Sequence, residues 1–298
     1  MKWQGVMPAI TTPFTEELSV DHDFLARHAG VLVGAGCTGI VALGSLGESA
    51  TLTFDEKVAI LKTLRRALGS RAPLVAGIAA LSTAEACDLA QAAAAAGCEG
   101  LMVLPPYVYR GDDRETAAHF SAVLSATPLA CMLYNNPIAY GTDVLPRQIA
   151  ALAERHANLT AVKESSADIR RVTELRGLLG GRLALLVGVD DLIVEGLAAG
   201  AVGWIAGLVN ALPGESVRLF DLASAGKRAE AERLYDWFLP LLRLDTVPKF
   251  VQLIKLTQQE AGLGSERVRA PRLVLEGAER AAAIRLIRER LSARPATR

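Results

Sequence analysis

Lys163 closes a short apolar run, residues 159–163, and Glu164, Ser165 and Ser166 follow before a helix-like stretch begins near Asp168. An ammonium at the end of an apolar strand must find a partner, point into a polar cavity or give up its proton. Two readings stand at this point: a strand-end cation bound to a carboxylate, or a desolvated amine that attacks a carbonyl carbon. Only seven of the 32 basic residues are lysines. The other six (Lys2, Lys57, Lys62, Lys227, Lys249 and Lys255) fall at the N-terminus or on helix-like stretches, where a long stem is expected to reach water. Comparable strand ends elsewhere carry Thr11-Thr12-Pro13, Gly44-Ser45-Leu46-Gly47-Glu48, Pro105-Pro106-Tyr107, Tyr134-Asn135-Asn136-Pro137, Gly188-Val189-Asp190-Asp191 and Ile205-Ala206-Gly207. A lysine, phenols, hydroxyls and glycines that open the backbone to a ligand form the set a Schiff-base enzyme needs. Burial favours a neutral amine, a relay group moves protons at the carbinolamine, and backbone donors hold a substrate carboxylate.

Such groups must be brought together by the elements that carry them. Apolar strand-like runs at residues 6–14, 39–43, 73–78, 101–104, 129–134, 160–163, 183–187 and 204–209 are each followed by a helix-like run. The helices are expected near 21–33, 53–68, 82–96, 114–125, 146–155, 168–178, 192–199 and 216–223. Eight βα units of roughly 28 residues predict an α/β fold, a (β/α)8 TIM barrel. The strand runs are continuously apolar, as expected of strands covered on both faces. Thr53 with Glu56 and Ser82 with Glu85 read as capping boxes, and Pro146 as a first-turn proline. A doubly wound sheet is the competing architecture, but no G-x-G-x-x-G turn follows the first strand. Beyond residue 225 only helical stretches remain, near 228–242, 247–261 and 273–291. The expected organisation is a barrel over 1–225 and a three-helix C-terminal extension over 226–298 packed on it, with a frayed end at 294–298.

Bulk properties exclude several function classes. The 298 residues carry 32 basic and 32 acidic side chains, so long-range attraction to nucleic acid or an anionic membrane has no source. Cys37, Cys87, Cys98 and Cys131 are isolated in apolar surroundings and read as buried thiols of a reducing compartment. With neither a signal-peptide pattern nor a membrane-length apolar run, a cytoplasmic protein is expected. His22, His28, His119 and His156 lie away from the strand ends, so no metal site is expected, and the chemistry requires no cofactor. Asp190 and Asp191 are expected to cap the next helix, and Glu48 to hold its loop.

In sum these motifs resemble those of the dihydrodipicolinate synthase and N-acetylneuraminate lyase family, barrels that join a lysine to a 2-oxo acid as a Schiff base. The marks are Gly44-Ser45-Leu46-Gly47-Glu48, Tyr134-Asn135-Asn136-Pro137, Val162-Lys163-Glu164, Gly188 to Asp190 and the opening Ala9-Ile10-Thr11-Thr12-Pro13-Phe14. The resemblance implies catalytic roles for Lys163 (Schiff base) and Tyr134 (proton relay). It implies substrate binding at Thr12, Ser45, Leu46, Ala139 and Ile205, with Ser45 and the Leu46 amide at the carboxylate. It also implies a homotetramer, a dimer of dimers, in which Tyr107 or Tyr109 approaches a neighbouring site.

Departures from the synthase pattern shape the expected reaction. Ala139 stands where the synthase has the arginine that binds its second substrate's carboxylate, Leu46 replaces a hydroxyl, and Tyr107-Val108 replaces paired tyrosines. Leu46, Val108, Ile138, Ala139 and Trp204 suggest a small pocket of low polarity. In the stretches Tyr134 to Gly141 and Gly203 to Asn210 the chain most resembles the 1-pyrroline-4-hydroxy-2-carboxylate deaminase branch of hydroxyproline breakdown. The expected substrate is therefore a cyclic imino acid, converted to 2,5-dioxopentanoate and ammonia. Lys163 would add at the ring C=N carbon, with loss of the C4 hydroxyl and then hydration at C5. The alternatives are 4-hydroxy-tetrahydrodipicolinate synthase, or another aldolase or dehydratase of a small 2-oxo acid.

Overall fold

The computed structural model describes residues 1–295. Its eight strands are β1 (Gly5–Pro8), β2 (Ile40–Ala42), β3 (Leu74–Ile78), β4 (Gly100–Val103), β5 (Ala130–Asn135), β6 (Leu159–Glu164), β7 (Ala184–Val187) and β8 (Gly203–Ala206). All pair in parallel, in the order β1-β8-β7-β6-β5-β4-β3-β2. A parallel Ala9–Val41 bridge and the Ile10 N–H donating to the Val41 carbonyl close the ring between β1 and β2. The protein is a (β/α)8 barrel with extra C-terminal helices. Every residue of β2, β3, β4 and β8 is buried, which explains their unbroken apolar runs.

Helices alternate with the strands: α1 (His22–Gly34), α2 (Phe54–Leu68), α3 (Thr83–Ala95), α4 (Asp113–Ser125), α5 (Pro137–Tyr140), α6 (Pro146–Arg155), α7 (Arg170–Leu179), α8 (Ile193–Ala199) and α9 (Pro213–Ser224). The Thr53 hydroxyl and Glu56 form a full capping box on α2, whereas Ser82 caps α3 without the reciprocal bond from Glu85. α10 (Arg228–Leu242), α11 (Phe250–Glu260) and α12 (Gly277–Ser292) make up the extension. Residues 296–298 of the expected frayed end lie outside the described residues, and Arg294 ion-pairs with Glu215.

Three differences from the sequence reading affect the site. β1 stops at Pro8 rather than running to residue 14, because the Thr11 N–H turns to the Asn210 side chain at 3.2 Å. β8 stops at Ala206, because the Gly207 and Leu208 N–H groups turn to the Asp190 carboxylate. α5 is an extra turn that no strand–helix alternation anticipates. Pro137 opens it, the Asn136 side chain caps the Ala139 N–H at 3.0 Å, and Gly141 ends it with φ of +71°.

Lys57 and Lys255 depart from the expected solvent reach, and Cys87 alone from the expected burial. Lys255 lies on α11 but does not reach water; it is buried, as is Lys57. Cys37, Cys98 and Cys131 are buried, and burial pushes each thiol up to about 12, whereas Cys87 is half-buried. No helix among the described residues is long and apolar enough to cross a membrane.

Candidate active site

Strand register places the two expected catalytic residues side by side. Tyr134 on β5 is the Cα partner of Lys163 on β6, and the Lys163 amine lies 4.0 Å from the centroid of the Tyr134 ring. Both are buried, at 6% and 5% exposure. Among the described residues no carboxylate comes within ion-pair distance of Lys163, which disfavours the paired strand-end reading. The lysine stem crosses Gly188 at the end of β7, where a built Cβ would collide with Lys163 Cε and the Ser165 hydroxyl. Gly188 is therefore a condition for the lysine's course.

A second tyrosine completes the polar side of the site. Tyr140, the last residue of α5, hydrogen-bonds its hydroxyl to the Ser45 hydroxyl. Its ring meets Tyr134 edge-on at 5.8 Å and Tyr107 at 5.7 Å. Burial first, then Tyr134, holds its phenol well above the ordinary range, with the Ser45 bond opposing. The Tyr134 hydroxyl accepts from Asn136 Nδ2 at 2.9 Å. Sequence reasoning missed Tyr140; its signal was the Asn-Pro start and glycine stop around a single helical turn, which together aim residue 140 inward.

Other expected site residues divide clearly. Ser45 joins the cluster through Tyr140. Thr12 donates its hydroxyl to the Gly47 carbonyl at 2.6 Å, so it braces the Ser45 loop. The Leu46 and Ile205 side chains are buried in the core, and Ala139 is exposed on α5. The apolar-pocket reading fails: Val108 and Ile138 are 81% and 72% exposed, while Trp204 is fully buried with its indole N–H on Asp190. These side chains share no common rim. Tyr109 is exposed and donates its hydroxyl to Glu115 at 3.2 Å.

Carboxylates hold the loops. Glu48, at a left-handed φ of +56°, takes the Lys255 ammonium at 2.5 Å and the Arg269 N–H at 3.0 Å, tying the Ser45 loop to α11 and the segment beyond it. Burial lowers Lys255 to about 8, with Glu48 opposing. Glu164 is raised by burial and accepts from Asn135 Nδ2 at 3.3 Å and from the Ser166 N–H at 2.7 Å. Asp190 is pushed up to about 6 by burial, although three donors hold it: the Trp204 indole and the Gly207 and Leu208 amides. It therefore fastens the β8 loop and does not cap the helix that follows it. Among the described residues no group of His, Cys, Asp and Glu side chains could hold a metal ion.

Residues 2–290 match the Dihydrodipicolinate synthetase family. The chain belongs to that family. Its members include 4-hydroxy-tetrahydrodipicolinate synthases of Pelobacter propionicus, 31% identical over 94% of this chain and 96% of the relative, and of Agrobacterium fabrum, 33% identical over the same shares. Among solved structures, the synthase of Methylacidiphilum fumariolicum superposes with a TM-score of 0.92 at 29% identity, covering 98% of each chain. A prophage protein of Escherichia coli K12, in complex with pyruvate, gives a TM-score of 0.91 at 26% identity over 97% and 98%. The chain is thus a member of a Schiff-base-forming aldolase and lyase family. These relatives overturn the expected deaminase reaction and its place in hydroxyproline breakdown. The physical premise of that reading fails with them, since the phenols of Tyr134 and Tyr140 stand beside the lysine where an apolar rim was expected.

Proposed function

We propose that this chain is a 4-hydroxy-tetrahydrodipicolinate synthase, joining pyruvate to aspartate semialdehyde. Full-length similarity to curated synthases carries the reading, with the Lys163–Tyr134 pair as its chemical counterpart. The Lys163 amine attacks C2 of pyruvate and water leaves, giving an iminium. Loss of a C3 proton yields an enamine whose carbon attacks the aldehyde, and the acceptor's own amine then displaces Lys163 and closes the ring. Tyr134 relays the protons, and Ser45 with the Leu46 amide holds the pyruvyl carboxylate.

Ala139 offers no charge for the second carboxylate. We assign that role to Arg110, whose guanidinium packs against Gly141, two residues along the same loop. Purified protein given both substrates should consume them together without added metal or nucleotide. Arg110→Ala should raise KM for the semialdehyde by about tenfold or more with pyruvate KM little changed. No consumption of aspartate semialdehyde by the wild-type protein would overturn the assignment. A homotetramer and a cytoplasmic location belong to the same proposal.

A further inference from the structure

Asp245 belongs to the C-terminal extension, in the Arg243–Asp245 turn between α10 and α11. Its carboxyl nevertheless reaches the end of β8. A Cβ built on Gly207 would collide with Asp245 Oδ1 and lie 2.8 Å from its carboxyl carbon. Gly207 has φ of −92° and ψ of −54°, a conformation open to any residue. Room for Asp245, and not backbone freedom, is what requires glycine at 207. The turn is anchored, with Arg243 paired to Asp191 at 3.7 Å and the Thr246 hydroxyl on the Arg243 carbonyl at 2.9 Å.

Asp190, on the other side of Gly207, is supplied with three donors. Asp245 is half-buried, and no donor among the described residues reaches its carboxyl. A half-buried carboxyl with no protein donor has only water to satisfy it, so a bound group that donates takes the place of that water. Burial, then the charge of Asp190, holds Asp245 well above the carboxylate range, while Lys163 pulls the other way. Its field and that of Lys163 therefore overlap.

Pyruvate offers only a carboxylate and a carbonyl, neither of which donates. We propose that Asp245 sets acceptor specificity by receiving a hydrogen bond from the second substrate's head group, an ammonium or a hydroxyl. The inference rests on the reading that Lys163 holds pyruvate.

Three acceptor aldehydes of equal length test this: aspartate semialdehyde, its 2-hydroxy analogue, and succinate semialdehyde, which has no donor. Aldehyde consumption is measured in wild type, Asp245→Asn and Asp245→Ala, with borohydride trapping of pyruvate run in parallel. Wild type should favour the donor-bearing acceptors by about 10²-fold in kcat/KM or more. Asp245→Ala should bring that ratio below about tenfold, chiefly through acceptor KM, while Asp245→Asn, which keeps an accepting amide oxygen, should lower it by less, with pyruvate still trapped in both. A larger ratio for the amine than for the hydroxyl identifies charge as the source, and equal ratios identify the hydrogen bond alone. An unchanged ratio in both variants overturns the proposal, as does loss of trapping in both folded variants, which would place Asp245 on Lys163 instead. Trapping without condensation in wild type overturns the synthase reading together with this one. No trapping in wild type removes the Lys163 reading beneath them.

Discussion

The proposed chemistry depends on phenols as much as on the amine. Tyr134 lies under the Lys163 amine nitrogen, and Tyr140 links it to Ser45. Tyr134→Phe removes a hydroxyl and little volume, so the fold should survive while kcat falls by about 10²-fold or more. Tyr140→Phe frees Ser45 from its partner and should lower kcat by about tenfold with an unchanged melting temperature. Steady-state kinetics alongside thermal melts decide both; normal turnover in either variant assigns that ring to packing. Lys163 and Tyr134 were legible in the sequence, because a lysine at a strand end is conspicuous and register pairs it with the residue on the next strand. Tyr140 and Asp245 were not, since their positions depend on a single helical turn and on a long-range contact with Gly207. The deaminase reading erred for the same reason. It assumed that Val108, Ile138 and Trp204 face one cavity, and side-chain direction is what residue types alone do not give.

At the scale of elements, the extension acts as a clamp on the barrel's catalytic end. α11 supplies Lys255 to Glu48, and the following segment supplies the Arg269 N–H, so the loop bearing Ser45 is held from outside the barrel. Glu48→Ala leaves a buried ammonium unpaired and should cost about 3–5 kcal/mol in denaturant unfolding. Loss below about 1 kcal/mol would show that the pair is not a clamp. α1 meets the same end through His28, which faces Asn210 at 3.4 Å and Gln258 at 3.3 Å. Burial lowers this imidazole from 6.5 to about 4. Between those values the unfolded chain binds a proton that the folded chain refuses, so stability falls as pH drops through that window, by up to about 3 kcal/mol. His28→Asn should flatten the pH dependence of unfolding between pH 7 and 4; an unaltered slope assigns acid sensitivity elsewhere. Strand and helix order was readable from periodicity, whereas this clamp was not, because Lys255 sits on a helix that reads as solvent-facing.

For the whole molecule, the barrel leaves an apolar patch at the ends of β3 and β4. Leu81 is 69% exposed, Val108 81% and Tyr109 58%, on loops joined by the Tyr107 N–H donating to the Ala80 carbonyl. Val108 also holds a left-handed φ of +73°, unfavourable for a β-branched residue. Such a patch beside the site suits contact with a second copy, in keeping with the proposed tetramer. Sedimentation should give a particle of four 31.6 kDa chains. Leu81→Asp should reduce its size, and a wild-type monomer would contradict the assembly.

Whether Lys163 is the nucleophile can be read by incubating the protein with pyruvate and borohydride, then mapping peptides by mass spectrometry. One stable pyruvyl adduct is expected, on Lys163, absent from Lys163→Arg, whose guanidinium stays protonated. Label on another lysine, or an unmodified Lys163 in active enzyme, would contradict it.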